Sequence, residues 1–491
     1  TNASQATQQI LGSIPLPFFL QLLQSDHGDD SEYTINKTCS VLEALLRDQP
    51  YSVLVQDPLL SGALLQALQS PLPSVHALGL SQVDKVAKED PTVLRTMLET
   101  DVFKSTVEGI ASESIAISER SKLTLLTICD TLERLEKVIS FDGSFCLIRD
   151  LVNSKNSIVQ LRMIGALTEI AGRSQESTTM LDQAGLLDSL KSGLDTKDIL
   201  TRFNIIEILS EFGETTPGSE FLDQSGIMAQ LATVVELEAA QDSLGVSAIV
   251  KLYGKLGASS RVDFVTLDMK YQLLSQLERL LVGDKDFEPD ESLKVESMAS
   301  IGLIGGNVQN IEWLTQSHCS DVFIARLSSL SRDSKVAWYH SLAQILACSP
   351  DPSPETEKIL LQFYKKLEGP NQSAFAARLL VVAKSQTVDL AMAALAVMIP
   401  LARYPFGVQK LGAQREVIAF LIERNAAISH SEKVAKFEVI EAMLNTFQEA
   451  KRTSNTALLT DEQVSRLDLI RRQGPFYQRS TATVAIKDIA A

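Results

Sequence analysis

Histidine and cysteine are the side chains most readily used as metal ligands, proton carriers or nucleophiles, and their placement in this chain argues against all three uses. The five histidines, His27, His76, His318, His340 and His430, never fall into H-E-x-x-H, the spacing that sets two imidazoles on one helical face around zinc. The five cysteines, Cys39, Cys129, Cys146, Cys319 and Cys348, form no C-x-x-C pair, so neither a zinc site nor a dithiol centre is expected. His318 and Cys319 adjoin, but adjacent residues of a helix or turn point apart, so they are not expected to share a metal. No G-x-x-x-x-G-K-[ST] phosphate loop and no G-x-S-x-G nucleophile turn occurs. The run Gly302-Leu303-Ile304-Gly305-Gly306-Asn307 follows no strand, as dinucleotide binding would require; it is expected to close a helix that starts near Ser292. An enzyme, a cofactor and a small-molecule substrate are therefore not expected.

Groups suited to recognition remain. Glu423-Arg424 and the stretch from Lys433 to Glu438 are charged clusters, readable as a solvated helix face or as a contact surface. Trp338-Tyr339-His340 has the spacing of helix core, whereas Tyr404-Pro405-Phe406, at an expected loop edge, is better placed to meet a partner.

The elements that carry these residues are read from an internal repeat. Leu181-Asp182-Gln183-Ala184-Gly185 returns 41 residues later as Leu222-Asp223-Gln224-Ser225-Gly226, and a third copy is expected at Leu314-Thr315-Gln316-Ser317-His318. Anchors at Gly62, Asp101, Gly143, Gly185 and Gly226 give a period near 42, and the polar stretch from Gly283 to Asp290 reads as a loop insertion. Apolar sets such as Ile164, Leu167 and Ala171 step by i, i+3, i+7, one stripe of a helix, with no comparable alternation to suggest a sheet. A unit of this length built of helices matches the armadillo and HEAT classes. The expected fold is all-α: an armadillo/HEAT-like α-solenoid, a right-handed superhelix of about 10–11 degenerate repeats with a concave binding face. Residues 1–270 are expected to form N-terminal repeats and residues 271–449 the repeats that carry the partner face. Residues 450–491 are expected to hold a capping helix around Asp461 to Arg472 and an extended, basic tail able to dock on the acidic solenoid.

The chain has 491 residues and a formal charge of −16. A nucleic-acid partner is disfavoured because phosphate would be repelled. The longest apolar stretch, Leu390 to Ile399, is far short of the roughly 20 residues that cross a bilayer. The start, Thr1-Asn2-Ala3-Ser4-Gln5, lacks an initiator Met and shows no signal-peptide pattern. With few, scattered cysteines, a reducing compartment, cytosol or nucleus, is expected.

Arg466-Leu467 followed by Gly474-Pro475-Phe476-Tyr477, together with Gly79-Leu80-Ser81-Gln82-Val83, Leu186 to Ser192, Ile301 to Val308 and Ala435-Lys436-Phe437-Glu438 in the same order, resembles the proteasome non-ATPase regulatory subunit 5 family. The resemblance runs from about Gly62 to the end. It implies a chaperone for assembly of the proteasome regulatory particle, binding the C-terminal domain of one ATPase subunit of the base and sterically delaying its docking on the proteolytic core. It also implies a binding face on the C-terminal half. There Arg326, Tyr339, Arg403, Tyr404, Phe406, Glu423, Arg424, Lys436 and Glu438 are the candidate contacts, being aromatic, arginine or otherwise charged. The alternative is an armadillo-type adaptor for another basic protein or peptide, as in nuclear import. Such adaptors line their groove with W-x-x-x-N; here the residues four beyond Trp313 and Trp338 are Ser317 and Leu342.

Overall fold

The computed structural model describes residues 23, 31–89, 91–285, 287–351, 353–369, 375–424, 429–454 and 457–477. Every regular element among them is a helix. The expected basic tail beyond Tyr477 lies outside the described residues.

One helix per repeat, its spine helix, packs on its counterparts within each of two compact units. In chain order the spine helices are α1 (Ser31–Leu46), α2 (Pro73–Val83), α3 (Ile115–Ile128), α4 (Ser157–Ala171), α5 (Ile199–Gly213), α6 (Ser243–Ala258), α7 (Glu291–Gly305), α8 (Arg332–Leu346), α9 (Val388–Leu401) and α10 (His430–Ser454). The first five start at residues 31, 73, 115, 157 and 199, steps of 42, which is the period read from the sequence. Two steps are longer, from 243 to 291 and from 332 to 388, and the first contains Gly283 to Asp290, between helix Leu273–Val282 and α7. The described residues of that insertion form a loop, as expected, and Gly283 enters it at φ +78°, a left-handed conformation that favours glycine.

The repeated pentapeptide is a helix stop. Gly185 (φ +71°) and Gly226 (φ +80°) both take the left-handed conformation, and the Leu186 amide reaches back to the Leu181 carbonyl at 3.1 Å, closing the turn. The third copy makes the same junction by other means: Ser317 accepts from the Ser320 amide and starts helix His318–Arg326.

The chain packs as two compact units, Thr1–Ile227 and Met228–Ala491. In each, spine helices stack side by side and in parallel. In the first unit, Arg162 of α4 donates to the carbonyls of Ile110 and Ser112 just ahead of α3, while Arg173 beyond α4 donates to Leu126 and Cys129 at the end of α3. Starts therefore lie by starts and ends by ends. In the second unit, Ser331 before α8 bonds Glu291 at the start of α7, and Asn307 after α7 donates to Gly257 at the end of α6.

These bonds follow a rule. The last carbonyls of a helix have no intrahelical donor, and here the following repeat supplies one. Lys85 donates to Gln49 just past α1, Arg134 to Val86 and Glu89, Arg173 to Leu126 and Cys129, Asn310 to Gly257, Tyr404 to Leu346, and Thr446 to Ala402. Cationic donors also complement the negative end of the helix dipole.

Packing is tightest along α6, α7 and α8, where glycines remove the side chain from the contact. A Cβ at Gly302 would sit 2.7 Å from the Ser341 Cα, and one at Gly254 would sit 3.0 Å from the Ser300 Cα. The glycine-rich run expected to close a helix thus has a further reason: Gly302 and Gly305 lie inside α7 and let α8 approach, while Gly306 is the cap.

Candidate protein-binding surface

Of the nine candidate contacts, the structure buries four and ties two more, Arg326 and Arg424, to carbonyls of the chain. Tyr339 is buried and packs edge-on against Trp338 at 5.1 Å. Tyr404-Pro405-Phe406 is not a loop edge: Tyr404 caps helix Pro405–Gly412, stacks on Phe406 at 5.6 Å, and is 1% exposed. Lys436 is 4% exposed. Arg326 is half-buried, its guanidinium donating to the Leu281 carbonyl. The physical reason is shared: in a stack of repeats every large side chain near a helix end has a neighbouring repeat to fill, so size and charge do not by themselves mark an outer face.

Arg403, Glu423, Arg424 and Glu438 are exposed, but they do not form one patch. Thr446 of α10 bonds the Ala402 carbonyl at 2.9 Å, which sets Arg403 beside residue 446. Glu423 and Arg424 follow helix Arg415–Ile422 and lie toward the first turn of α10, so about 24 Å of helix separates the two places. Glu438 is two residues past Lys436, roughly 200° around the helix, and faces away from it.

What converges at the start of α10 is a strip built on Arg424. Its guanidinium donates to the carbonyls of Gly474 and Tyr477, each at 2.9 Å, and lies 5.5 Å from the Tyr477 ring centroid. Beside it the Phe476 ring stacks on His430 at 4.2 Å and 15°. Helix Asp461–Gln473 precedes the strip, opened by a Thr460–Gln463 capping box and ended by Gly474 at φ +79°. This is the capping helix expected around Asp461 to Arg472. Phe476 and Tyr477 stay 49% and 45% exposed, and two aromatic rings with an arginine are the residue types that anchor interfaces. Neither aromatic was among the candidate contacts, although a Phe-Tyr pair just after Gly-Pro in a chain with 6% aromatics was a signal in plain view.

Lys436 lies in the second turn of α10. Its Nζ lies 3.7 Å from the Phe420 ring centroid and 3.7 Å from Glu432 Oε1, without a hydrogen-bond partner among the described residues. Burial pulls its pKa below the usual lysine range, while Glu432 and Glu423 pull upward.

Four of the five thiols are buried, and the fifth, Cys146, is exposed. Cys39, Cys129, Cys319 and Cys348 are buried and free, and burial raises each thiol, Cys129 to about 12 and Cys348 to about 11. His318 pairs with Glu278 at 2.8 Å on the surface while Cys319 points into the core. No helix among the described residues is long and apolar enough to cross a membrane.

Comparison with known proteins now decides the lineage, because the family model for the proteasome non-ATPase 26S subunit matches residues 3–491. The chain belongs to this family. It is 23% identical over 510 aligned positions to the 26S proteasome non-ATPase regulatory subunit 5 of Bos taurus, covering 98% of this chain and 95% of that one. The Homo sapiens protein of the same name is also 23% identical, over 98% and 92% of the two chains. The Drosophila melanogaster protein is 22% identical over 67% and 63%. Among solved structures, a karyopherin-type chain from a study of Kap95p binding to RanGDP is similar at 12% identity with a TM-score of 0.55, over 91% of this chain and 53% of that one. At that identity the likeness concerns fold, and the fold is an armadillo/HEAT-type α-solenoid. A family of proteasome regulatory subunits ties the chain to a proteasome-related role.

Proposed function

We propose that this family member is a non-catalytic chaperone for assembly of the base of the proteasome regulatory particle. Its C-terminal repeats, residues 271–449, together with the Arg424 strip, grip the C-terminal domain of one proteasomal ATPase subunit. While gripped, that domain is kept by bulk alone from docking on the proteolytic core. The observation that carries this reading is the family match across residues 3–491.

The structure supports it in two ways. Helices stacked through glycine contacts and cross-repeat carbonyl bonds form a stiff support, and steric exclusion needs a body that does not yield. The Arg424, Phe476 and Tyr477 strip offers anchors held in place before a partner arrives, which lowers the ordering cost of association. The work is placed in the cytosol or nucleus, and no nucleic acid, membrane or small molecule enters it. Pull-down with each proteasomal ATPase C-terminal domain in turn tests the proposal. Selective capture of one supports it; equal, negligible binding to all of them rejects it.

A further inference from the structure

We propose that the solvent face of α3, α4 and α5 is a second docking surface, made for an amphipathic helix of a partner protein with lysine or arginine on one side and aliphatic residues on the other. It lies in the first compact unit and does not depend on that reading.

Charge selects the partner. Residues 1–227 carry 31 acidic and 17 basic side chains, a net −14, whereas residues 228–491 carry 30 and 28, a net −2. Nearly all of the chain's negative charge therefore belongs to the unit that bears this face, and a cationic partner is drawn to it.

The face itself is ordered in two rows. Ile115, Ile158 and Leu200, in the first turns of three consecutive spine helices, are 71%, 60% and 70% exposed. Arg162 and Arg173 fix α3 and α4 in parallel, and Thr215 beyond α5 packs against Gly172 beyond α4, so the three first turns share one edge. Neighbouring axes lie about 8–10 Å apart, which makes an aliphatic row about 20 Å long, matched by a partner helix of about 13 residues. Further along α4 and α5 comes an acidic row of Glu169, Glu207 and Glu211, all exposed, while α3 carries Lys122 seven residues past Ile115. Leu200, Glu207 and Glu211 step by seven and four, and Ile158 to Glu169 by eleven, so each set shares one helical face. Leu200 to Glu207 spans about 10 Å of axis, close to the 10–12 Å diameter of a helix. A helix laid across the spine would thus set its apolar side on the first row and its cations on the second.

Two of the three acids of this row, Glu207 and Glu211, form no ion pair among the described residues. Lys122 meets Glu169 at 2.8 Å, but Glu207 and Glu211 stand four apart on α5, where like charges repel.

The test uses the full chain and a synthetic helix-forming peptide of about 18 residues, five turns long, with leucine on one face and lysine on the other. A counterpart carries glutamate for lysine. Binding is read by fluorescence anisotropy, and each variant's melting temperature shows that it is folded. The lysine peptide should bind, and both Ile158→Ser with Leu200→Ser and Glu207→Lys with Glu211→Lys should weaken it about tenfold or more, the scale of interface anchors. Glu136→Lys with Asp150→Lys, the same charge change on other exposed helices, should leave it unchanged. No binding, equal binding of the glutamate peptide, or an equal loss in that control overturns the proposal. So does a dimer of the wild-type chain that Ile158→Ser with Leu200→Ser dissociates, since a second copy would then own the face.

Discussion

The Tyr404 hydroxyl donates to the Leu346 carbonyl at 2.6 Å, joining residues 58 positions apart at the ends of α8 and α9. A residue with the chemistry of an interface anchor is in this fold a strut. Tyr404→Phe keeps the ring and its stacking on Phe406 but leaves a buried carbonyl short of its donor, so stability should fall by about 1–2 kcal/mol. Urea unfolding checks this, with partner capture expected to be unchanged. Normal stability with lost capture would return Tyr404 to the partner site.

Two glycine-to-alanine changes should act in opposite directions. At Gly302 the new Cβ meets the Ser341 backbone at 2.7 Å, so α7 and α8 must separate. Overpacking of about 1–3 kcal/mol should outweigh the roughly 1 kcal/mol that alanine contributes to an isolated helix. At Gly165 in α4 nothing lies within 4 Å, and Gly165→Ala should stabilise by up to about 1 kcal/mol. Chemical denaturation of the two variants beside the parent reads the contrast directly.

Lys436 contributes little that a neutral chain of similar length would not. Its ammonium is buried without a hydrogen bond among the described residues, and Glu432 is only partly buried. Lys436→Met should therefore be neutral or raise stability by about 1 kcal/mol, whereas Glu432→Gln, which removes the nearest opposing charge, should lower it by a similar amount. A thermal melt in which Lys436→Met is strongly destabilised would show that the Phe420 contact carries more than packing.

His76 should give the first unit a pH dependence. It is 3% exposed beside Ser121 at 3.3 Å, and burial depresses its pKa although a hydrogen bond to the Ser70 backbone works the other way. The unfolded chain takes up a proton near the ordinary value of about 6.5 that the folded chain refuses, so stability present above that pH is lost as pH falls through it. Melting temperatures between pH 7.5 and 5.5 should decline more steeply for the parent than for His76→Gln. Parallel curves would remove His76 as the cause.

Phe476→Ala with Tyr477→Ala should weaken capture of the ATPase domain about tenfold or more while leaving the melting temperature within a degree or two, because both rings are about half exposed. Arg403→Glu and Glu423→Arg, at the two ends of about 24 Å of α10, should be made separately, since one patch cannot hold both. Capture that is indifferent to every one of these changes would move the partner surface elsewhere.

The repeat was legible in the sequence because it is a local property. A period of 42, the i, i+3, i+7 stripes, and the glycines at 185 and 226 each reflect what a short stretch of backbone must do, whatever surrounds it. From these followed the helices and the class of fold. Which side of each helix meets another repeat is not local. Tyr339, Tyr404, Phe406 and Lys436 have the same chemistry whether they face solvent or the next spine helix, and only the stacking buried them. Tertiary structure likewise brought Arg424 to Gly474 and Tyr477, some 50 positions on, and aligned Ile115, Ile158 and Leu200 along one edge. Sequence set the period; the lateral register of one repeat on the next, fixed by side chains reaching the open carbonyls of their neighbours, chose the surfaces.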